Sequence, residues 1–442
     1  MEPRLTSMLH RVLEDKGLLA ELATTFGSPL HIVFPEQALL NAQTWVRSVG
    51  GTYADIDVRF GMKACKSELL TQAFARGGVG ADASSAEEVV AAMRNHIRAD
   101  RISFTGPQKP DFEIALAITH GLNLHLDSAA EFDRFHAVST YLGRRSPITF
   151  RLKPASAGQS RFGFSFDDLS AMLRRVSTLG YIEGGLSFHI NDYEVGSRTS
   201  AVLEAHRMAV ESEQYFRVTS IDLGGGYPIN YTEKFDSGDY LAGAHWKKQS
   251  GQLYPYDNTL TSAKHASEII GALGVETRED LLKRQIKLMF QPGRSLLDQC
   301  GITVFRVIGC KSASGPPGHS ICTLDGTSFS LSETWFDADF APAPIILSEG
   351  KWQHSIEGEF GYFLMGRSCL ESDVIRSRAI RSRQELKPGD LICFINTAGY
   401  QMDSNESPFH RLPLPKKVAL LKHEGKLRTV EDTTRYFMEL QQ

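Results

Sequence analysis

The order of segments in this chain predicts an α/β protein: a (β/α)8 TIM barrel with a second, mostly antiparallel β-barrel-like domain. Three observations carry that expectation. Strand-like and helix-like units alternate through the middle of the chain, giving eight strand units in all. After residue 300 the alternation gives way to short strands with few helices. The 442 residues suffice for a barrel with an appended domain and a large core.

In chain order, a helical stretch, TSMLHRVLEDKGLLAELATTF, precedes GSPLHIVFP, whose β-favouring residues read as a strand, and EQALLNAQTWVRSV then has helical spacing. The eight strand candidates are ADIDVRFGMKA, GGVGADAS, RISFTG, LNLHLDS, ITFRLKP, GGLSFHI, TSIDLGGGY and IKLMFQPGR. Helical patterns such as SAEEVVAAMRNHI, DFEIALAITHG, SAAEFDRFHAV, SFDDLSAMLRRVSTLG and RTSAVLEAHRMAVESEQYF lie between them. Periodicity does not show closure, so a doubly wound open sheet is the competing arrangement. Beyond residue 300, GITVFRVIGCK, SICTLDG, PAPIILS, FGYFLMG, DLICFINTAGY, KVALLKH and LRTVED read as strands of the second domain. The expected division is therefore 36–300 for the barrel, and 1–35 with 301–442 for a β domain completed by the early strand PLHIVFP.

Composition narrows the function classes. A formal net charge of -4, with charges mixed along the chain, gives no overall basic field, so nucleic acid is not an expected partner. The six cysteines, Cys65, Cys300, Cys310, Cys322, Cys369 and Cys393, form no CxxC pair. That usage suits a reducing compartment and argues against a disulfide scaffold or a thiolate metal site, and no metal is expected. MEPRLTSMLHRVLEDKG has no continuous apolar core, and no later run is apolar for long enough to span a bilayer. A soluble cytoplasmic protein with no membrane partner is the expectation.

The strand ends carry the chemistry. Lys63, in RFGMKACKSELL, stands at the carboxyl end of the first barrel strand, where a side chain can point over the barrel mouth. A lysine becomes chemically useful when its surroundings hold it partly deprotonated, because only the free amine forms an imine with an aldehyde. The competing reading is a charged rim at a helix start, and Lys66 fits that reading or that of a neighbour of Lys63. In DLGGGYP, adjacent glycines including Gly225 and Gly226 leave N–H groups approachable, which suits a phosphate or a plain tight turn. QPGRSLL adds Gly293 and Arg294, whose planar fork can pair with phosphate oxygens. Two candidate anion-binding features on consecutive strand ends, with Lys63, suggest an aldehyde cofactor carrying a phosphate. His189 in GGLSFHIND can stack on a flat ring or donate a hydrogen bond, or be a satisfied histidine near the core. Asp127 reads as a helix cap, while Asp82 keeps both readings, cap or site residue.

Taken together these motifs resemble the fold-type III pyridoxal-phosphate decarboxylases, the group of diaminopimelate, ornithine and arginine decarboxylases with an alanine racemase-like barrel. GMKAC is similar to the family's cofactor-lysine segment, and GVGADASSAEEV to the one that follows, with Asp82, Ser85 and Glu88 in place. FHI, DLGGGYP, QPGRSL, MGRSCLESDVI and TAGYQMD occur in the family's order, so the resemblance covers nearly all of the chain. It implies pyridoxal 5'-phosphate as cofactor, with Lys63 as its Schiff-base residue and His189 against the pyridine ring. Gly225, Gly226, Gly293, Arg294 and Tyr400 would hold the phosphate. It implies that Cys369, in GRSCLESDV, works across the interface of a homodimer and directs proton return after carbon dioxide leaves.

The chain also departs from that pattern. Gln291 stands where a carboxylate usually keeps the pyridine nitrogen protonated; glutamine can hydrogen-bond there but supplies no negative charge. Asn191 and Asp192 replace the usual glycine and serine after His189, and an Asp192 facing phosphate would repel it. Asp192 is expected to turn away or to contact substrate. Leu370 follows Cys369 where decarboxylases of basic amino acids carry an acid, leaving Glu371 and Asp373 as candidate substrate contacts. The expected activity is decarboxylation of an amino acid, or of a modified one from a specialised pathway. The alternatives are a racemase or other alpha-carbon enzyme on the same cofactor, and a catalytically silent regulatory homologue.

Overall fold

The structure, a computed structural model, describes all residues except 16, 247–251, 255, 257, 313–317, 332–337, 341, 424–425 and 433–442. Eight parallel strands close into a barrel: Ile56–Gly61, Gly80–Ala83, Ile102–Phe104, Asn123–Leu126, Ile148–Arg151, Glu183–Ser187, Arg217–Asp222 and Lys287–Phe290. Closure rests on the last of these, which pairs with both Ile56–Gly61 and Arg217–Asp222 and so excludes the open sheet. Most of these strands are buried along nearly their whole length, as expected where helices cover the outside and side chains fill the inside. Phe60 and Phe74, for example, pack a strand on the following helix with ring centroids 4.5 Å apart.

Serine hydroxyls fix where four of the helices begin. Ser67, Ser85, Ser128 and Ser165 accept the N–H groups of Leu70, Glu88, Glu131 and Asp168, so each loop from strand to helix ends at a defined residue. Asp127 is consequently not the cap that its position suggested, because Ser128 next to it takes that role. The stretch read as one helix at the start is two, Ser7–Glu14 and Leu18–Thr25, parted near Gly17. Two helices that the periodicity did not mark, Ser262–Ala272 and Gly274–Lys283, precede the eighth strand and are divided at Gly274, whose φ is +76°.

The second part is a curled ten-stranded sheet, mostly antiparallel. Leu30–Val33 enters it from the start of the chain, antiparallel to Gly301–Ser312 and parallel to Lys416–His423. Gly301–Ser312 is long enough to change partner: Leu30–Val33 lies along its first residues, and His319–Leu324 lies beyond Val307. That branching leaves the sheet open, with Lys351–His354 and Lys426–Glu431 at its ends among the described residues, where a barrel-like closure was expected. The strand Val374–Ser382 was not anticipated. No helix among the described residues is long and apolar enough to cross a membrane.

Candidate active site

The carboxyl ends of the barrel strands surround two adjoining cavities of about 350 and 170 Å³ that share Lys63, Asp82, His189, Asn191 and Gln291. Lys63 sits in the single turn Met62–Ala64 after the first strand; its neighbours are buried and its own side chain is exposed. The turn is held from behind by the second part of the chain. Tyr400 N–H donates to the Ala64 carbonyl at 2.9 Å, and Asp403 Oδ2 accepts from Lys66 N–H at 3.0 Å. Asp403 is buried and also pairs with Lys417. Lys66 Nζ bonds to the Asp403 carbonyl at 2.6 Å, so Lys66 fastens this clasp and lines neither cavity.

In the larger cavity Asp82 is 8 % exposed and its Oδ1 has no hydrogen-bond partner. Burial, and then the neighbouring Asp222, push its carboxyl up to about 7 against the opposing pull of Lys63 and Thr105. Asp222 is pushed up to about 6, chiefly by burial, while the Gly224 N–H at 2.9 Å pulls the other way. Gln291 donates Nε2–H to Asp222 Oδ2 at 2.8 Å. His125 lies 3.9 Å from the same oxygen and is held well below the usual histidine range by burial and then by Arg59. His189 is lowered to about 3 by burial, then by Lys63, Arg198 and Arg151, and is therefore neutral at physiological pH. Its Nδ1 accepts the Gly225 N–H at 3.3 Å, which puts the ring proton on Nε2.

The smaller cavity is lined by Gly225, Gly226, Gly293, Arg294 and Tyr400. The glycines are required by close approach: a Cβ on Gly225 would lie 2.7 Å from the Gln291 carbonyl oxygen, and one on Gly293 would lie 2.8 Å from Tyr400 Oη. Arg294 donates to Tyr231 Oη, and its guanidinium stands 4.6 Å from the Tyr254 ring and 4.9 Å from the Tyr400 ring.

Other candidates stand apart from this constellation. Asp192 does not line either cavity; its Oδ1 accepts the Glu194 N–H at 3.0 Å. Cys369 is exposed on the loop between Phe360–Met365 and Val374–Ser382, with Sγ 3.0 Å from His410 Nε2, and within one chain it lines neither Lys63 cavity. Asp373 is 3 % exposed and turned inward: Oδ1 accepts the Ser328 N–H and hydroxyl, both at 2.7 Å, and Oδ2 accepts the Ser368 N–H at 3.0 Å. It pins the Cys369 loop and is thereby corrected from a substrate contact to an internal anchor. Glu371 is exposed on the same loop.

Three residues that the sequence reading did not single out complete the larger cavity or its floor: Asp222, His125 and Arg151. All lie at or near the carboxyl ends of barrel strands, which is the signal that could have found them. Asp127, freed from capping, accepts the Gly163 N–H at 3.1 Å and lies 3.9 Å from Arg151.

The family described as pyridoxal-dependent decarboxylase, pyridoxal binding domain, matches residues 40–297. The chain is 33% identical to the uncharacterized protein y4yA of Sinorhizobium fredii, covering 98% of this chain and 97% of that protein. It is 23% identical to the diaminopimelate decarboxylase of Zymomonas mobilis, covering 94% of each. Over 82% of each chain it is 22% identical to the L-glutamyl-[BtrI acyl-carrier protein] decarboxylase of Niallia circulans. Among solved structures, lysine/ornithine decarboxylase from Vibrio vulnificus complexed with cadaverine shares the fold, with a TM-score of 0.71 at 18% identity over 95% of this chain and 100% of that one.

Proposed function

The chain belongs to the fold-type III pyridoxal-dependent decarboxylase family, and from that premise we propose that it removes the alpha-carboxylate of an amino acid, or of a modified amino acid, as carbon dioxide. One observation carries the reading: an exposed lysine amine stands where a roomy polar cavity meets a small one walled by glycine and arginine. The residues fit pyridoxal 5'-phosphate. Glycine N–H groups and Arg294 suit its phosphate, the neutral His189 suits a flat ring, and the buried, unpartnered Asp82 Oδ1 suits a polar contact. When bound, the cofactor supplies an aldehyde for the amine and a ring that withdraws electrons from the alpha carbon.

Lys63 would hold the cofactor through its side-chain amine, which stands exposed at the meeting of the two cavities. Gln291 has its Nε2–H committed to Asp222, which leaves Oε1 as the acceptor it can offer the cavity. Asp222 thereby acts one residue removed, fixing the amide rather than presenting a charge itself. Asp82, titrating near neutrality, can hold or give up a proton beside Lys63. We read Cys369, with His410 behind it, as the group that returns the proton to the alpha carbon of a site on the partner subunit of a homodimer. We read residues 36–300 as the cofactor domain, a barrel of the TIM type, and 1–35 with 301–442 as the second domain. The substrate is a small amino-acid molecule; Leu370 disfavours simple diamino acids, and Glu371 is the remaining candidate on the loop for a distal amine. A cytoplasmic location accords with the thiol usage.

A second reading, racemisation, is favoured by Gln291, because an uncharged neighbour withdraws fewer electrons and leaves the alpha-carbon fate more open. Borohydride trapping of the protein supplied with pyridoxal phosphate, followed by peptide mass mapping, tests the premise. The adduct is expected on Lys63 and absent from Lys63→Ala. An unchanged adduct in that variant refutes the assignment, and no adduct in folded wild type favours a silent homologue. Carbon dioxide release then separates decarboxylation from racemisation, which preserves the carboxylate.

A further inference from the structure

Arg198 lies in the first turn of the helix Val195–Ser212 and is fully buried, at 0 % exposed. A charge removed from water is costly unless something compensates it. No carboxylate among the described residues forms an ion pair with Arg198. Its Nε and Nη1 have no hydrogen-bond partner, and Nη2 alone donates to the carbonyls of Ile190 at 2.7 Å, Asp192 at 2.9 Å and Gly226 at 3.1 Å. The groups facing it are the Tyr227 ring, 5.4 Å from the guanidinium carbon, together with Tyr193 and Asp192. Asp192 contributes a favourable field, but its Oδ1 is engaged by the Glu194 N–H.

Those three carbonyls have a consequence for the other side of their peptides. The bonds are trans, and in a planar trans peptide the N–H points opposite to the C=O. With the carbonyls gathered on Arg198, the N–H groups of Asn191, Tyr193 and Tyr227 are turned away from it, and all three residues line the 170 Å³ cavity. Gly226 makes the arrangement sterically possible: a Cβ there would lie 2.5 Å from Arg198 Nη2, and its φ is +84°.

We infer that Arg198 is the buried counter-charge and positioning residue of an anion cradle built from the 190–193 and 225–227 loops, shaped for a phosphate monoester dianion. It orients the amides that face the ligand and supplies positive field from behind them without touching it. Arg294 lines the same cavity, and Arg198 adds positive field from beneath the loop, where position 192 carries an acid. The inference rests on the proposed cofactor and names how this chain holds the phosphate end.

Binding of pyridoxal phosphate and of pyridoxal, which lacks the phosphate, to the full-length chain freed of cofactor tests it, read by absorbance and fluorescence. Arg198→Gln keeps a donor for the carbonyls and loses the charge; Arg198→Lys keeps the charge. The preference for the phosphate form is expected to fall about tenfold or more in Arg198→Gln and to stay within about threefold of wild type in Arg198→Lys. Equal weakening of both ligands in Arg198→Gln, with the ratio unchanged, would overturn the inference by assigning Arg198 a structural role alone. If Arg198→Gln does not fold, a tenfold loss of the ratio in Arg198→Lys despite its charge overturns it, and a preserved ratio supports it. Wild type that binds neither compound and gives no Lys63 adduct contradicts the cofactor reading itself, which is a separate result.

Discussion

Replacing Asp82 by asparagine should make the cofactor-free protein more stable, and increasingly so as pH rises from about 4 to about 7. The buried carboxyl is pushed from 3.8 up to about 7, by burial first and by Asp222 second. A carboxyl whose folded pKa lies above its unfolded one binds its proton more tightly in the folded state, so its stabilising contribution is intact below about pH 4 and is lost as pH rises through about 7. Integrated between those two values, the ionised group costs roughly 4 kcal/mol at about pH 8 and under about 2 kcal/mol at about pH 5. Asparagine has nearly the same shape and no charge to desolvate. Urea unfolding at both pH values, monitored on cofactor-free wild type and Asp82→Asn, should therefore show the variant gaining over wild type by about 2–3 kcal/mol more at the higher pH. A constant difference between the two proteins across that range would refute the argument, because it would mean that the carboxyl does not change protonation on folding.

Two further outcomes follow from contacts away from the cavities. His410→Ala removes the ring nitrogen 3.0 Å from the Cys369 sulfur, so alkylation of Cys369 should slow while that of the exposed Cys310 is unchanged; equal rates at Cys369 would show that the contact does not bear on its reactivity. Asp403→Asn takes the carboxylate from the partly buried Lys417 and should cost up to about 3 kcal/mol in chemical denaturation. Burial alone would raise the Asp403 carboxyl, but Lys417 outweighs it and holds the group below the usual range. Its contribution is thus present above about pH 4 and lost as pH falls through the lower folded value, so the variant should show less acid sensitivity than wild type; an unchanged acid transition would count against the clasp.

Most strands of the barrel were legible because apolar, β-favouring residues lie between recognisable helices, whereas GADA and EGGLS were legible only by their place in the alternation; the glycines stand out because close approach leaves no room for a Cβ. What escaped depends on partners distant in sequence. Val374–Ser382 reads VIRSRAIRS, and its arginines and serines disguise a strand that buries Arg376 and Ser382 along with Val374, Ile375 and Ile380. Asp127 and Ser128 are both good caps one residue apart, and local chemistry does not choose between them. Asp373 looked like a loop acid beside Cys369 because its partner Ser328 lies 45 residues away. Arg198 was quoted only as the first residue of a helical stretch, and its partners, the carbonyls of Ile190, Asp192 and Gly226, are gathered by the fold. Asp222 was quoted within its glycine motif, yet only the folded barrel brings it to Gln291, 69 residues on.

The barrel does not finish its own mouth. The turn that carries Lys63 is gripped by Tyr400 and Asp403, which belong to the far end of the chain, so the position of the amine is dictated from outside the scaffold that bears it. A chain cut after residue 300 would keep all eight strands and lose that grip. The anchoring of the Met62–Ala64 turn is therefore a property of the whole chain, set by residues more than 300 positions away in sequence.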